Sequence, residues 1–208
     1  MAKINIKSIA NKVSKSPKVI NKMEQIVNIR VENAKRMMVE DFDNHPVSME
    51  IKAGPNAGNS SGTLGGYGNL YTFIGFRSSA RPIEAIASLI QRQTYLIRRG
   101  SKPQVKGRNL VRNYSINYMN EKEISSISAA QKPWESGSWI DGIEKGLSSF
   151  GYYMYKNFEE GRSGKGLQAK KGGKAGGSPQ KVRTSSFSPM AYVTQIVNNF
   201  RRNIRTIK

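Results

Sequence analysis

The 208-residue chain has no cysteine and a single histidine, His45. Without thiols there is no disulfide framework, no cysteine nucleophile and no zinc site of the sulfur type. With one imidazole, any serine–histidine pair or histidine-bearing metal site must be built around that residue. Acids are scarce: 14 Asp and Glu stand against 34 Lys and Arg, a formal net charge of +20. Long apolar runs are also missing. No segment nears the roughly 20 apolar residues that span a bilayer, and the lysines of MAKINIKSIANKV lack the apolar stretch of a secretory leader. These features predict a soluble intracellular chain with no membrane partner.

What remains is periodic and basic. Hydrophobic residues make up 37% of the chain, above the disordered range, so a folded domain with basic extensions is expected. The positive charge is clustered. Eleven Lys or Arg and no acid lie in 161–208, five and none in 1–18, seven and none in 91–113. Such a field favours anionic partners: nucleic acid, an acidic membrane face or an acidic protein surface.

Ser16-Pro17 reads as a helix start. Met23, Val27, Val31, Ala34, Met38 and Phe42 then recur at steps of three and four, the stripe of a long amphipathic helix. VSMEIKA alternates, with Val47, Met49 and Ile51 on one face and Ser48, Glu50 and Lys52 on the other, which predicts a half-buried strand. LYTFIGF (70–76) has strand composition, Pro82 opens a short helix, and TYLIRR and YSINYM read as strands flanking a basic loop. Ser138 and Asp141 fit a capping pattern for a glycine-bearing helix carrying Ile140, Ile143, Leu147, Phe150 and Met154. Ser188-Pro189 predicts a final helix with Tyr192, Val193, Ile196, Val197, Phe200, Ile204 and Ile207 on one face. The fold class expected is α+β: a small, mostly antiparallel sheet packed with a long N-terminal and a C-terminal helix. Residues 1–17 form a basic arm, 18–208 a single domain, and 161–183 a flexible Gly/Lys-rich loop.

The stretch SGTLGGYGNLYTFIGF (61–76) carries five glycines but no phosphate-binding signature. A P-loop requires lysine and a hydroxyl residue after its last glycine, and no lysine follows a glycine between Gly54 and Gly75. Gly66-x-Gly68 is followed at the third position by Tyr71, which breaks the dinucleotide pattern. The glycines therefore serve turns. His45 beside Asp41 and Asp43 lacks a second nitrogen ligand, so capping or packing is its expected use. Ser60 and Ser61 have no assignable base, and Glu159-Glu160 read as a solvated face. No catalytic residue, metal site or cofactor site is expected, and the chain is read as not an enzyme. Tyr152, Tyr153, Tyr155 and Phe158 could stack on bases, but core or subunit contact is the plainer use; Trp134 and Trp139 read as buried or interface anchors.

The stretches FDNHPVSMEI, SGTLGGYGNLYTFIGF, PWESGSWIDGIEKGLSSFGYY and FSPMAYVTQIVNNF together resemble head–tail joining proteins of tailed bacteriophages, in particular the neck or tail-completion family. The similarity covers most of 42–200. It implies a structural virion protein, assembled in the host cytoplasm, that forms a homo-oligomeric ring, six-fold or twelve-fold, between connector and tail proteins. DNA would pass through its lumen without specific binding. Because lysine–phosphate contacts add salt-dependent drag, the basic segments are expected to face protein neighbours. Subunit or partner contacts are assigned to Val27, Val31, Met38, Trp134, Trp139, Phe150, Tyr153, Lys170, Lys171, Lys174, Arg201 and Arg202. The alternative from composition is a basic nucleic-acid-binding protein, although no zinc-finger, RNP or KH pattern is present.

Overall fold

The computed structural model describes residues 12–64, 68–97, 100–106, 109–128, 137–145, 152–157, 166–171 and 190–206. The long helix α1 (Pro17–Asn44) begins as read, with Ser16 at the N-cap and Pro17 at the first helical position. Val31, Ala34, Met38 and Phe42 are buried, while Met23 and Val27 of the same stripe are only half-buried. The core therefore sits against the C-terminal half of α1.

His45 breaks the helix in an extended conformation, and Pro46 restarts it as α2 (Pro46–Lys52). Here the strand expectation fails. Val47 and Ile51 are buried and Met49 is exposed, while Ser48 and Glu50, assigned to a solvent face, are fully buried. Val47 and Ile51 are one helical turn apart as well as two strand steps apart, so only Met49 could separate the two periods. Pro at the first position and the His45 ring, which accepts from the Val47 N–H at 3.3 Å, decide for the helix.

LYTFIGF is likewise helical, as α3 (Leu70–Ile74). The Asn69 side chain accepts from the Thr72 N–H at 2.8 Å. Gly75 ends the helix at φ 89°, a left-handed conformation that costs glycine nothing. Asn before and Gly after are cap signals that outweigh β-rich composition. Gly54, Gly62 and Gly68 also have positive φ, the turn role expected of them. Helix α4 (Pro82–Gln93) buries Ile83, Ile86, Ala87 and Ile90.

Strand β1 (Tyr95–Ile97) pairs antiparallel with β4 (Ser115–Asn117), Leu96 opposite Ile116. The basic segment between them is not a plain loop. It holds a second antiparallel pair, β2 (Gln104–Lys106) with β3 (Asn109–Val111). The two pairs are joined where the Ser101 N–H donates to the Asn113 carbonyl at 2.9 Å. Backbone closeness there explains Gly100: a Cβ would lie 2.7 Å from Arg112 Nε and 3.0 Å from the Asn113 carbonyl oxygen.

Helix α5 (Glu121–Ser126) opens on a capping box between Asn120 and Glu123. Helix α6 (Trp139–Lys145) starts at the predicted Ser138, whose hydroxyl accepts from the Asp141 N–H at 3.3 Å. It does not run on to Met154. Tyr152–Asn157 is strand β5, paired antiparallel with β6 (Gly166–Lys171). Consecutive tyrosines favour extended pairing, and part of the segment read as a flexible loop supplies the partner strand. Helix α7 (Val193–Thr206) closes the chain. Its first turn is capped from a distance: the Glu144 carboxylate of α6 accepts from the Thr194 N–H at 2.6 Å. The predicted Ser188-Pro189 start lies outside the described residues.

The architecture is α+β, with a long N-terminal helix, a C-terminal helix and short antiparallel strand pairs. One hydrophobic cluster joins α1, α2, α3, α4, α5, α6 and α7. Tyr192 stands at its centre, stacked on Phe42 at 5.6 Å and against Trp139 at 6.3 Å. Its hydroxyl shares a 2.6 Å hydrogen bond with Ser48, which satisfies two buried polar groups. No helix among the described residues is long and apolar enough to cross a membrane.

Candidate interaction surfaces

The glycine-rich connection 54–69 is organised from within, around a carboxylate. Glu50 projects from α2 with no exposed surface. It accepts from the Leu70 N–H at 2.7 Å, the Ser61 N–H at 2.8 Å and the Asn59 amide at 3.0 Å on each oxygen. Asn59 in turn accepts from the Leu64 N–H at 2.9 Å, and Asn69 donates to the Pro55 carbonyl at 2.7 Å. The Ser61 and Leu70 N–H groups and the Asn59 amide are thus taken up by a protein anion, and a phosphate-cradling loop would need such donors free.

His45 is held by structure on both sides. Nδ1 accepts from Val47, and Nε2–H donates to the Ala191 carbonyl at 3.2 Å, which fixes the neutral tautomer. The ring packs on Tyr192 at 4.6 Å. Burial lowers its pKa from the ordinary 6.5, against the opposing pull of the Ala191 hydrogen bond and the Glu144 charge. Burial also drives the Tyr192 phenol far above its ordinary 10. Ser61 Oγ lies 2.8 Å from Thr63 Oγ1, inside the same loop network. Among the described residues no group of three or more His, Asp or Glu is placed to hold a metal ion. Glu159 and Glu160 lie outside the described residues.

Two surfaces remain. The first is on α1, where no residue from Pro17 to Arg30 is fully buried. Ile26 and Ile29 are 42% and 53% exposed, and Met37 is 40% exposed. At 100° per residue these three lie about 105° to 175° round the helix from the buried stripe, Ile29 directly opposite it. The second is the β1–β4 hairpin. Tyr95 and Ile97 face outward from β1 while Leu96 faces in. The hairpin is tied to α1 by an ion pair between Arg112 and Glu24 at 2.9 Å, and Arg112 also covers the Tyr114 ring at 5.1 Å.

The residues assigned to contacts by sequence divide accordingly. Val31, Met38 and Trp139 are buried in the chain's own core, so their apolar character serves the fold and any partner must meet their exposed neighbours. Val27 lies half-buried on α1. Arg201 is engaged internally: it makes a two-pronged ion pair with Glu121 at 2.6 and 3.0 Å and donates to the Tyr118 hydroxyl at 3.1 Å. Arg202 is exposed and donates to Asn199 at 2.9 Å. Tyr153, Lys170 and Lys171 belong to the β5–β6 ladder, with Tyr153 opposite Lys170. Trp134, Phe150 and Lys174 lie outside the described residues.

Sequence reading missed the Glu50 knot and the exposed isoleucines. For Glu50 the available signal was a lone acid inside an apolar segment, followed by a donor-rich loop. For Ile26 and Ile29 it was a second apolar line on a helix whose main stripe was already complete. Comparison with family models, curated proteins and solved structures gives no match.

Proposed function

We propose that this chain is a structural subunit of a phage neck, a ring-forming protein that joins the connector side of the virion to the tail. The observation that carries this reading is the composition of α1. Its C-terminal half is the wall of the core, while its N-terminal half presents Ile26 and Ile29 to the outside. Exposed isoleucines on a rigid helix favour a protein neighbour, because burying each large aliphatic side chain contributes about 1.5–3 kcal/mol. The resemblance of FDNHPVSMEI, SGTLGGYGNLYTFIGF and FSPMAYVTQIVNNF to the neck family supplies the kind of neighbour: sibling subunits around a ring. The Asn59, Ser61 and Leu70 donors held by Glu50 and the internally satisfied His45 agree with a role in assembly.

The test is the native mass of the purified chain, with Ile26→Glu/Ile29→Glu alongside. The reading expects closed oligomers for the parent and dissociation of the variant at unchanged helix content. A parent that stays monomeric at all concentrations and binds one DNA sequence tightly would replace it with a regulator.

A further inference from the structure

Beyond β1 and β4 the chain runs out and back as a two-stranded ribbon. Its rungs are Gln104 opposite Val111, Val105 opposite Leu110 and Lys106 opposite Asn109. The ribbon's close backbone contacts are between its own strands; neither β2 nor β3 packs extensively on another element. Alternation puts Gln104 and Lys106 and, across the rungs, Val111 and Asn109 on one face, three of them polar. All three are exposed, as is Lys102 two residues before Gln104.

The charge of this ribbon is unbalanced. No Asp or Glu occurs between Glu84 and Glu121. The one acid that reaches the hairpin, Glu24, is paired with Arg112 at its base. Lys102 and Lys106 have no ion pair among the described residues. Arg98, Arg99 and Arg108 add to the same stretch of sequence.

We infer that this ribbon is a binding site for the phosphate backbone of duplex DNA, read by charge and not by sequence. The same unpaired lysines on a second ribbon would repel this one, so the matching face of a second copy is electrostatically the wrong occupant here. Duplex DNA fits on two counts. Its major groove admits a two-stranded β-ribbon, and phosphate oxygens accept strongly from lysine and more weakly from the amides of Gln104 and Asn109 between and beside the lysines. Lys102 lies just before β2 and four residues from Lys106, up to about 13 Å along an extended chain, so the two can meet different phosphates. The ribbon thus departs from the expectation that all basic segments turn towards protein neighbours. The inference does not rest on the ring reading, since a monomer with this ribbon would bind DNA as well.

The experiment titrates the full chain against a fluorescent duplex of arbitrary sequence, from about 50 to 200 mM salt. Lys102→Gln/Lys106→Gln is compared with Lys18→Gln/Lys22→Gln, which removes the same charge from exposed positions on α1. Each phosphate contact contributes about 0.9 to the slope of log affinity against log salt. The ribbon variant should therefore lose about 1.8 from the slope, and about 10- to 60-fold in affinity near 0.1 M salt by the same relation. The α1 variant should lose much less, and both should melt with the parent. Equal losses from the two variants would overturn the inference in favour of diffuse charge. Absence of duplex binding, with binding of polyglutamate instead, would overturn it in favour of an acidic protein partner.

Discussion

Glu50→Gln is the sharpest perturbation of this fold, because it changes one oxygen to an NH2 group at nearly constant volume. The carboxylate accepts from the Leu70 N–H, the Ser61 N–H and both ways from the Asn59 amide. If the remaining carbonyl keeps Leu70, the new NH2 faces the Ser61 N–H and Asn59, donor against donor. A hydrogen bond to a charged group contributes about 1.5–3 kcal/mol, and one to a neutral group about 0.5–1.5. Losing the Ser61 bond and weakening the Leu70 bond gives about 2.5–4 kcal/mol. Relief from burying a charge returns part of that, which leaves about 3 kcal/mol. For a chain of this length the melting temperature should fall by about 6–12 °C. Hydrogen exchange locates the effect: the Ser61 and Leu70 amides should lose protection before those of α4. A melting temperature within about 1 °C of the parent, with both amides still protected, would mean that the loop 54–69 is held by something other than this carboxylate.

Three further outcomes follow from named contacts. The His45 ring has its pKa lowered in the fold from the ordinary 6.5, so its contribution to stability is full above 6.5 and falls as pH drops below it. There the unfolded chain takes up a proton that the fold resists. A fluorescence melt across that window should show the decline, and His45→Asn should flatten it. Arg201→Ala should cost about 1 kcal/mol through its half-exposed pair with Glu121, and a double-mutant cycle with Glu121→Ala should recover most of that as coupling. Gly100→Ala should open the hairpin base, because its Cβ would lie 3.0 Å from the Asn113 carbonyl. About 1–3 kcal/mol of overpacking is expected, read as lost exchange protection at Ser101.

The long helix, its core stripe, α4 and the α7 stripe were legible because each carries several turns of one period, and the β1–β4 pair because its aromatic and β-branched composition flanks a Gly/Pro-bearing loop. The short elements were not. In 46–52 the helical and strand periods coincide at Val47 and Ile51, and the decision lay in the caps. In 70–74, Asn69 and Gly75 outweighed a β-rich composition for the same reason. The stripe through Ile140 and Ile143 ends at α6, and its continuation on paper met a tyrosine run that pairs as a strand. The candidate surfaces were legible as charge and as apolar count, but not in placement. Val31, Met38 and Trp139 look the same in a one-dimensional pattern whether they face a core or a neighbour, and only their burial in the folded chain separates them from Ile26 and Ile29.

The central proposal, a structural neck subunit present as a ring, is tested most directly by quantitative peptide mass spectrometry of virus particles purified from cells that produce this chain. The account predicts a fixed ring-sized copy number per particle, in constant ratio to the connector protein. Absence from particles, with the chain abundant in infected-cell extract, would contradict it.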